Sequence, residues 1–387
     1  MRYPLIAMLV TFAIFSMAHS FSTLFLNIYV WKNHSSFFYI GLFQFFSFLC
    51  TFIGIIGGAY LILYLGSRIA FIFSAIVALC LYLFLIHIQI DSSFLVVITG
   101  VLNGTYIGLF YAGFHFYSLW FSEKEQLSNI IGLQYVINST VQLITPPLAG
   151  WVIHYKGYEA TFLLGIFILF IQTIFSVTTP QIKIRKKYRR KRFFIPENRQ
   201  MSYVGLSAAA FGFFYAFVHM SIGMFIYLYM KNESTIGQWN MLFTLFTIFT
   251  YFLLGRQFLQ PYKETLGTLG VIISTVVTFT LIAPFPVTFI IFNVIVSISL
   301  PMMWVPAFSN QFQSVKDQVN KSNVNPLTKT MELIIFREFS LFVGRALFIL
   351  ILLINIFMIS DTSLALLIMF LCFMPTGLFL LSKKAIN

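Results

Sequence analysis

Residues 180–203 read PQIKIRKKYRRKRFFIPENRQMSY and lie at the middle of a 387-residue chain. This stretch holds nine basic residues and one glutamate, and so carries eight of the thirteen net positive charges. Long apolar runs flank it on both sides. The stretch therefore divides the chain into two apolar halves joined by a basic linker.

The composition of the whole chain indicates that most of its surface lies in lipid. Hydrophobic residues make up 59% of the chain and charged residues 9%, with a mean hydropathy of +0.90, whereas an ordinary globular protein has about 25% charged residues. So little polar surface cannot cover a water-soluble fold. We therefore expect an integral membrane protein.

A membrane-spanning helix needs about 20 mostly apolar residues, because its backbone polar groups must be paired within the segment. Counting outward from the linker gives six such runs on each side, and their length and uniform apolarity exclude outer-membrane strands. The predicted runs are 4–31, 37–64, 69–90, 94–121, 130–153, 161–179, 204–230, 237–256, 266–283, 287–310, 331–358 and 362–382. We predict an all-α fold with an N-terminal six-helix bundle (1–179), a basic cytoplasmic linker (180–203) and a C-terminal six-helix bundle (204–387).

The basic residues also predict orientation, since Lys and Arg in short loops stay on the cytoplasmic side. With the N-terminus inside, all of them fall at cytoplasmic positions or within the eleventh run except Lys32, Lys156 and Lys231. We expect a multi-pass plasma-membrane protein with both termini in the cytoplasm. Within the linker, positions 183–192 either bind anionic lipid headgroups or act only as a topology signal. Nucleic acid is a poorer partner, because no base-reading fold accompanies this run.

Several kinds of chemistry are excluded. Cys50, Cys80 and Cys372 lie in apolar runs without Cys-x-x-Cys or Cys/His spacing, so neither a disulfide framework nor a zinc site is indicated. There is also no P-loop for ATP and no pair of carboxylates suited to catalysis. We expect no cofactor, no metal and no enzymatic activity.

A weak repeat relates the two halves at an offset of about 199 residues. His19 followed by Trp31-Lys32-Asn33-His34-Ser35 matches His219 followed by Met230-Lys231-Asn232-Glu233-Ser234. Two bundles in parallel repeat place a substrate cavity at their interface, near the middle of the bilayer. The two histidines are then expected on opposite walls of one cavity.

Twelve spans in a six-plus-six arrangement, with both termini inside and a charged central loop, resemble the major facilitator superfamily. Its loop motif between helices 2 and 3 aligns with 59–68, where Gly66 and Arg68 remain. Its antiporter motif in helix 5 aligns with Gly132, Pro146 and Gly150, which suggests close helix packing and a proline bend and favours export. The resemblance implies a transporter that works by alternating access, with helices 1, 4, 7 and 10 lining the cavity.

Charged and titratable residues inside the spans are expensive and are therefore candidates for the transport mechanism. Histidine titrates near neutral pH, so His19 and His219 could carry a proton or bind substrate. In the eleventh run we expect Glu332 and Arg337 to reach the membrane surface. The deeper Glu338 and Arg345 are candidates for proton or anion binding, with Glu338, a substrate anion or another helix as the partner of Arg345.

Further polar and aromatic residues on the implied cavity helices complete the candidate substrate pathway. They are Thr23, Asn27, Asn103, Tyr106, Tyr111, His115, Tyr215, Asn293 and Trp304. With 19% aromatic residues, the chain can offer ring surface to a hydrophobic substrate.

The function predicted from the sequence is secondary active transport by a monomer, as proton-coupled export of a hydrophobic or amphipathic small molecule. Two alternatives remain open at this point. One is an uptake permease for a small anionic solute, and the other is a lipid flippase or a membrane protein that does not transport.

Overall fold

The computed structural model describes residues 3–121, 124–181, 194–230, 232–254, 262–282, 286–322, 325–358 and 361–386, and within these ranges the regular structure is helical without strands. The helices are α1 (Tyr3–His34), α2 (Phe37–Tyr64), α3 (Ser67–His87), α4 (Ser93–Phe121), α5 (Lys124–Thr178), α6 (Arg199–Met230), α7 (Glu233–Leu254), α8 (Lys263–Thr278), α9 (Pro286–Lys321), α10 (Pro326–Met358) and α11 (Asp361–Lys384). A 3-10 turn, Phe279–Ile282, extends α8. The predicted all-α membrane fold is confirmed.

The fifth and sixth predicted runs are joined in one element, α5. Its backbone is broken at Gly157, where φ is 81° and ψ is 177°. That φ favours glycine, because a Cβ would crowd the carbonyl group of the preceding residue. Within the described residues, nine helices are long and apolar enough to span a membrane, and one of these, Gly132–Thr178, is 47 residues long. A 47-residue helix provides two spans, since each needs about 20 residues.

Within the first half, α2 and α4 are held together by glycines. A Cβ on Gly104 would lie 2.0 Å from the carbonyl oxygen of Ser47, and one on Gly108 would lie 2.1 Å from that of Thr51. Because lipid tails are as apolar as the side chains, close backbone approach of this kind supplies much of the packing energy in membranes. The second half has the same kind of close contact, between Gly344 of α10 and the backbone of Ala209 in α6.

The two halves meet along two helix pairs. Between α2 and α10, a Cβ on Gly41 would lie 2.8 Å from Cδ2 of Leu353, and the rings of Phe52 and Phe342 stack at 5.8 Å. Between α5 and α7, a Cβ on Gly237 would lie 2.7 Å from the carbonyl oxygen of Pro146.

The small residues predicted to pack α5 closely behave differently from one another. Pro146 lies inside the helix and meets Gly237 of α7, while Gly150 is buried. At Gly132, however, a Cβ would meet no atom of the described residues within 4 Å. Close backbone approach at Gly132 therefore stays a prediction, and the described close contact of α5 lies about four turns later, at Pro146.

The chain ends and the linker ends share one end of the molecule. The Tyr3 hydroxyl donates to the carbonyl oxygen of Thr178 at 3.2 Å, and the Gln200 side chain donates to that of Ala385 at 2.6 Å. At the same end Gly66 has a φ of 108°, and Nε of Arg68 donates to the carbonyl oxygen of Thr179 at 2.9 Å. The contacts of Arg68 thus lie within the first half. The predicted headgroup-binding stretch, 183–192, lies outside the described residues.

Candidate functional site

A cavity of about 360 Å³ lies between the two halves. It is lined by α1, α2, α4 and α5 of the first half and by α6, α7, α9 and α10 of the second. Its volume is in the range of small-molecule sites, which is about 300–1,000 Å³. The interface of the halves therefore provides room for a small ligand.

Nine of the thirteen candidates for the substrate and proton pathway line this cavity: His19, Asn103, Tyr111, His115, Tyr215, His219, Trp304, Glu338 and Arg345. Asn27 lies behind the lining, where its Oδ1 accepts a 2.7 Å hydrogen bond from Gln44. Gln44 itself faces the cavity. The structure thus brings together residues from distant parts of the chain.

The two repeat-related histidines enter the cavity from opposite halves but have different surroundings. Nδ1 of His19 lies 2.8 Å from the Tyr106 hydroxyl, and its ring stacks on Phe15 at 5.5 Å. The ring of His219 lies 5.4 Å from that of Tyr215, and its buried Nδ1 has no hydrogen-bond partner among the described residues. The side chain of Thr23 lies outside the described part of the chain.

Glu338 joins the halves on the side of the cavity nearer the linker. Its Oε1 lies 2.5 Å from Nη1 of Arg337 on the same helix and 3.6 Å from Nε2 of His115 on α4. Arg337 also donates from Nε to Oε1 of Gln311 at 3.0 Å, and Gln311 donates to the Ser207 hydroxyl at 2.8 Å. A continuous polar network therefore runs from the cavity into the second half.

The expectation that Arg337 reaches the membrane surface is wrong. The residue is only 3% exposed. Its charge is compensated by Glu338, and its guanidinium lies 5.0 Å from the ring of Phe308 and 4.7 Å from that of Phe312. Glu332 is buried as well, 3.9 Å from Nζ of Lys329, which also pairs with Glu197.

Arg345 contacts aromatic rings of both halves. Its guanidinium lies 4.9 Å from the ring of Phe48 in the first half and 4.9 Å from that of Tyr215 in the second. Its buried Nε has no hydrogen-bond partner among the described residues. Glu338 is seven residues away, about 10 Å along the helix, and is paired with Arg337. Of the three partners considered for Arg345, Glu338 is therefore not in direct contact, which leaves an anion or a group on another helix.

The sequence analysis missed the contribution of α5 and α2. Gln134, Asn138 and Gln142 of α5 line the cavity, as do residues of α2 including Ser47 and Thr51. The α5 residues are spaced by four, which places them on one helix face. That spacing is the sequence signal for a polar face on this helix.

Within the described residues, a helical membrane fold with a polar and aromatic cavity at its centre is the arrangement expected of a membrane transporter. The sequence profile of the Major Facilitator Superfamily matches residues 6–324. The chain belongs to this family, and it is a multi-pass membrane protein and a secondary transporter.

The chain is also similar to two other proteins, one in sequence and one in fold. The chain is 20% identical over 352 residues to the uncharacterized protein YqgE of Bacillus subtilis (strain 168), covering 87% of this chain and 79% of YqgE. Its fold is similar to the crystal structure of the human organic anion transporter MFSD10 (TETRAN), with a TM-score of 0.72, 12% identity and full coverage of both chains.

Proposed function

We propose that this transporter exports an amphipathic small molecule in exchange for protons, by alternating access of the cavity between its two halves. The observation that carries the proposal is the position of Glu338. It is a buried carboxylate that lines the cavity and also contacts His115 of the opposite half. A proton bound there would act on both the substrate site and the contact between the halves.

The cavity lining supports an amphipathic substrate. Aromatic rings from both halves surround it, including Tyr111, Tyr215 and Trp304, and they offer apolar surface with a polar edge. The amide side chains of α5 and α2 provide hydrogen-bonding groups on the first-half wall. A compound with an apolar ring system and one polar end would satisfy both surfaces.

The surroundings of Glu338 support proton coupling. The groups that face its carboxylate are Arg337 on its own helix and His115 on α4. Protonation of Glu338 would remove its negative charge and weaken both contacts. Arg337 would then be a buried arginine without a paired carboxylate, which is costly. This cost favours a rearrangement of the contact between the two halves.

The proposal also includes the orientation of the protein, its membrane, its oligomeric state and the ligands of its linker. Both chain ends lie at the linker end of the molecule, and the positive-inside rule assigns that end to the cytoplasm. We propose the plasma membrane as the location, a monomer as the working unit, and anionic headgroups as the ligands of the basic linker.

The test uses the full chain in proteoliposomes loaded with pyranine, a dye that reports lumenal pH. An amphipathic probe, either naphthalene-2-sulfonate or ethidium, is added outside. If the probe enters in exchange for protons, lumenal pH rises. Glu338→Gln should strongly reduce the rise, because the glutamine cannot bind and release a proton.

Glu264→Gln is the matched control. Glu264 is exposed and pairs with Lys383 away from the cavity, so this substitution should leave the pH signal unchanged. Lumenal acidification would show symport, and the absence of any change with both probes would overturn proton-coupled transport of amphipathic compounds.

Uptake of a small anionic solute is the second candidate, because Arg345 lines the cavity without a carboxylate beside it. MFSD10 is an organic anion transporter by its title, which also supports an anionic cargo. The same vesicles distinguish the two, since proton symport of an anion gives acidification where antiport gives a rise in pH.

A further inference from the structure

We infer that Arg345, Trp304 and His219 form a subsite for an anionic oxygen group, so that the transported compound carries a sulfonate, carboxylate or phosphate. The inference rests on the proposed function, because it defines the polar end of the amphipathic substrate. It concerns one wall of the cavity, formed by α6, α9 and α10.

The three residues surround the ring of Tyr215. The His219 ring lies 5.4 Å and the Trp304 ring 6.2 Å from the Tyr215 ring, and the Arg345 guanidinium lies 4.9 Å from it. All four side chains line the cavity. Residues that lie far apart in the sequence thus meet around one tyrosine ring in the cavity wall.

Each of the three presents a buried nitrogen without a hydrogen-bond partner among the described residues: Nε of Arg345, Nε1 of Trp304 and Nδ1 of His219. Arginine and tryptophan nitrogens only donate, and Nδ1 of histidine donates in one of the neutral tautomers. Buried donors are normally satisfied. A ligand with several acceptor oxygens is the group that would satisfy all three together.

The charged residues that line the cavity favour the binding of an anion. The described lining includes two arginines and one glutamate, and that glutamate is bonded to Arg337. Arginine remains charged in proteins. The positive charge of Arg345 is therefore stabilised by the rings of Phe48 and Tyr215 and by any anion that binds in the cavity.

The neighbouring rings can hold the apolar body of such a compound. Phe211 meets Trp304 edge to face at 4.9 Å and Phe308 at 4.6 Å, and all three line the cavity next to the proposed subsite. Aromatic edges and faces of this kind favour a second ring system. An aromatic sulfonate or carboxylate therefore fits the chemistry of the wall.

Phe48 connects the subsite to the first half. It belongs to α2, and its ring lies 4.9 Å from the guanidinium, as does the ring of Tyr215 in α6. An anion bound to Arg345 would therefore act directly on a contact between the halves. This gives the subsite a role in conformational change as well as in recognition.

The experiment measures binding to the purified full-length protein in detergent by calorimetry, and does not depend on transport. The probes are naphthalene-2-sulfonate and its neutral relative naphthalene-2-sulfonamide. We expect the sulfonate to bind the unsubstituted protein more tightly than the sulfonamide. Arg345→Gln should weaken the sulfonate about 10- to 100-fold, the loss expected for one charged hydrogen bond, and should leave the sulfonamide unchanged.

Trp304→Phe provides a second variant, which keeps the ring and removes the N–H donor, and it should weaken the sulfonate by a smaller factor. Three results would overturn the inference: no binding of the sulfonate, unchanged sulfonate affinity in Arg345→Gln, or equal loss of both probes. If sulfonate binding requires Arg345 while the vesicle pH signal is absent, the subsite stands and proton-coupled export fails.

Discussion

Nε2 of His115 lies 3.6 Å from Oε1 of Glu338, across the interface between the first and second halves of the transporter. Glu338 is at the same time bonded to Arg337, whose other hydrogen bond reaches Gln311 on α9. A change of charge at the Glu338 carboxylate therefore affects side-chain contacts of α4, α9 and α10 together.

His115 and Glu338 should behave as one unit in transport. We expect His115→Gln and Glu338→Gln each to reduce the proton-linked pH signal, and the double variant to lose no more than the stronger single variant, because both remove the same contact. The measurement is a double-mutant cycle of initial rates in pyranine-loaded vesicles. Losses that simply add would show that the two residues act separately.

Close packing of α2 and α4 should depend on Gly104. Gly104→Ala places a methyl group where a carbonyl oxygen lies 2.0 Å away, so we expect destabilisation of about 1–3 kcal/mol, as for other overpacked sites. Gly57→Ala on α2 is the control, since a Cβ there meets nothing within 4 Å, and alanine should stabilise the helix by up to about 1 kcal/mol. Thermal unfolding in detergent compares the two, and equal stability would contradict the packing argument.

Arg68 should stabilise the first half. Its hydrogen bond to Thr179 joins the start of α3 to the end of α5, so Arg68→Gln is expected to cost about 1 kcal/mol of stability. Lys383→Gln, which removes an exposed ion pair with Glu264, should have a smaller effect. If Arg68→Gln changes transport while thermal stability is kept, Arg68 has a gating role instead.

Alternating access requires α2 and α10 to separate. In a background without Cys50, Cys80 and Cys372, the pair Gly41→Cys and Leu353→Cys should form a disulfide, because a Cβ on Gly41 lies 3.4 Å from Cγ of Leu353. Oxidation should stop transport and reductant should restore it.

The control for this pair is Gly57→Cys with Leu353→Cys. Gly57 lies more than four turns along α2 from Gly41, so this pair should not cross-link. Full transport activity in the oxidised Gly41–Leu353 variant would show that this end of the interface does not open.

Much of the fold could be predicted because lipid imposes a strict rule on each span. Apolar length alone located α2 as 37–64, the same bounds as in the structure, since backbone groups in lipid must be paired within the helix. The break within α5 at Gly157 lies in the predicted gap between the runs 130–153 and 161–179, but hydropathy did not show that the helix continues on both sides of it. Element boundaries depend on local backbone geometry, which hydropathy does not record.

The candidate site was partly predictable for the same reason. An ionisable residue in a span stands out against an apolar background, and His19, His219, Glu338 and Arg345 were recognised on that basis. Their partners were not, because Glu338 could pair with any cation within reach. The choice of Arg337 and His115 depends on side-chain directions and on which helix lies opposite.

The sequence by itself determined that this protein lies in a membrane, and it showed which few ionisable residues lie within the predicted spans. These follow from the cost of placing charge and unpaired backbone groups in lipid. Only the tertiary structure decided that the polar residues of eight helices meet in one cavity, and that Arg345 is covered by Phe48 and Tyr215. The reason is that helix rotation and the contact between halves are set by close packing of side chains from distant parts of the chain, as at Gly237 and Pro146.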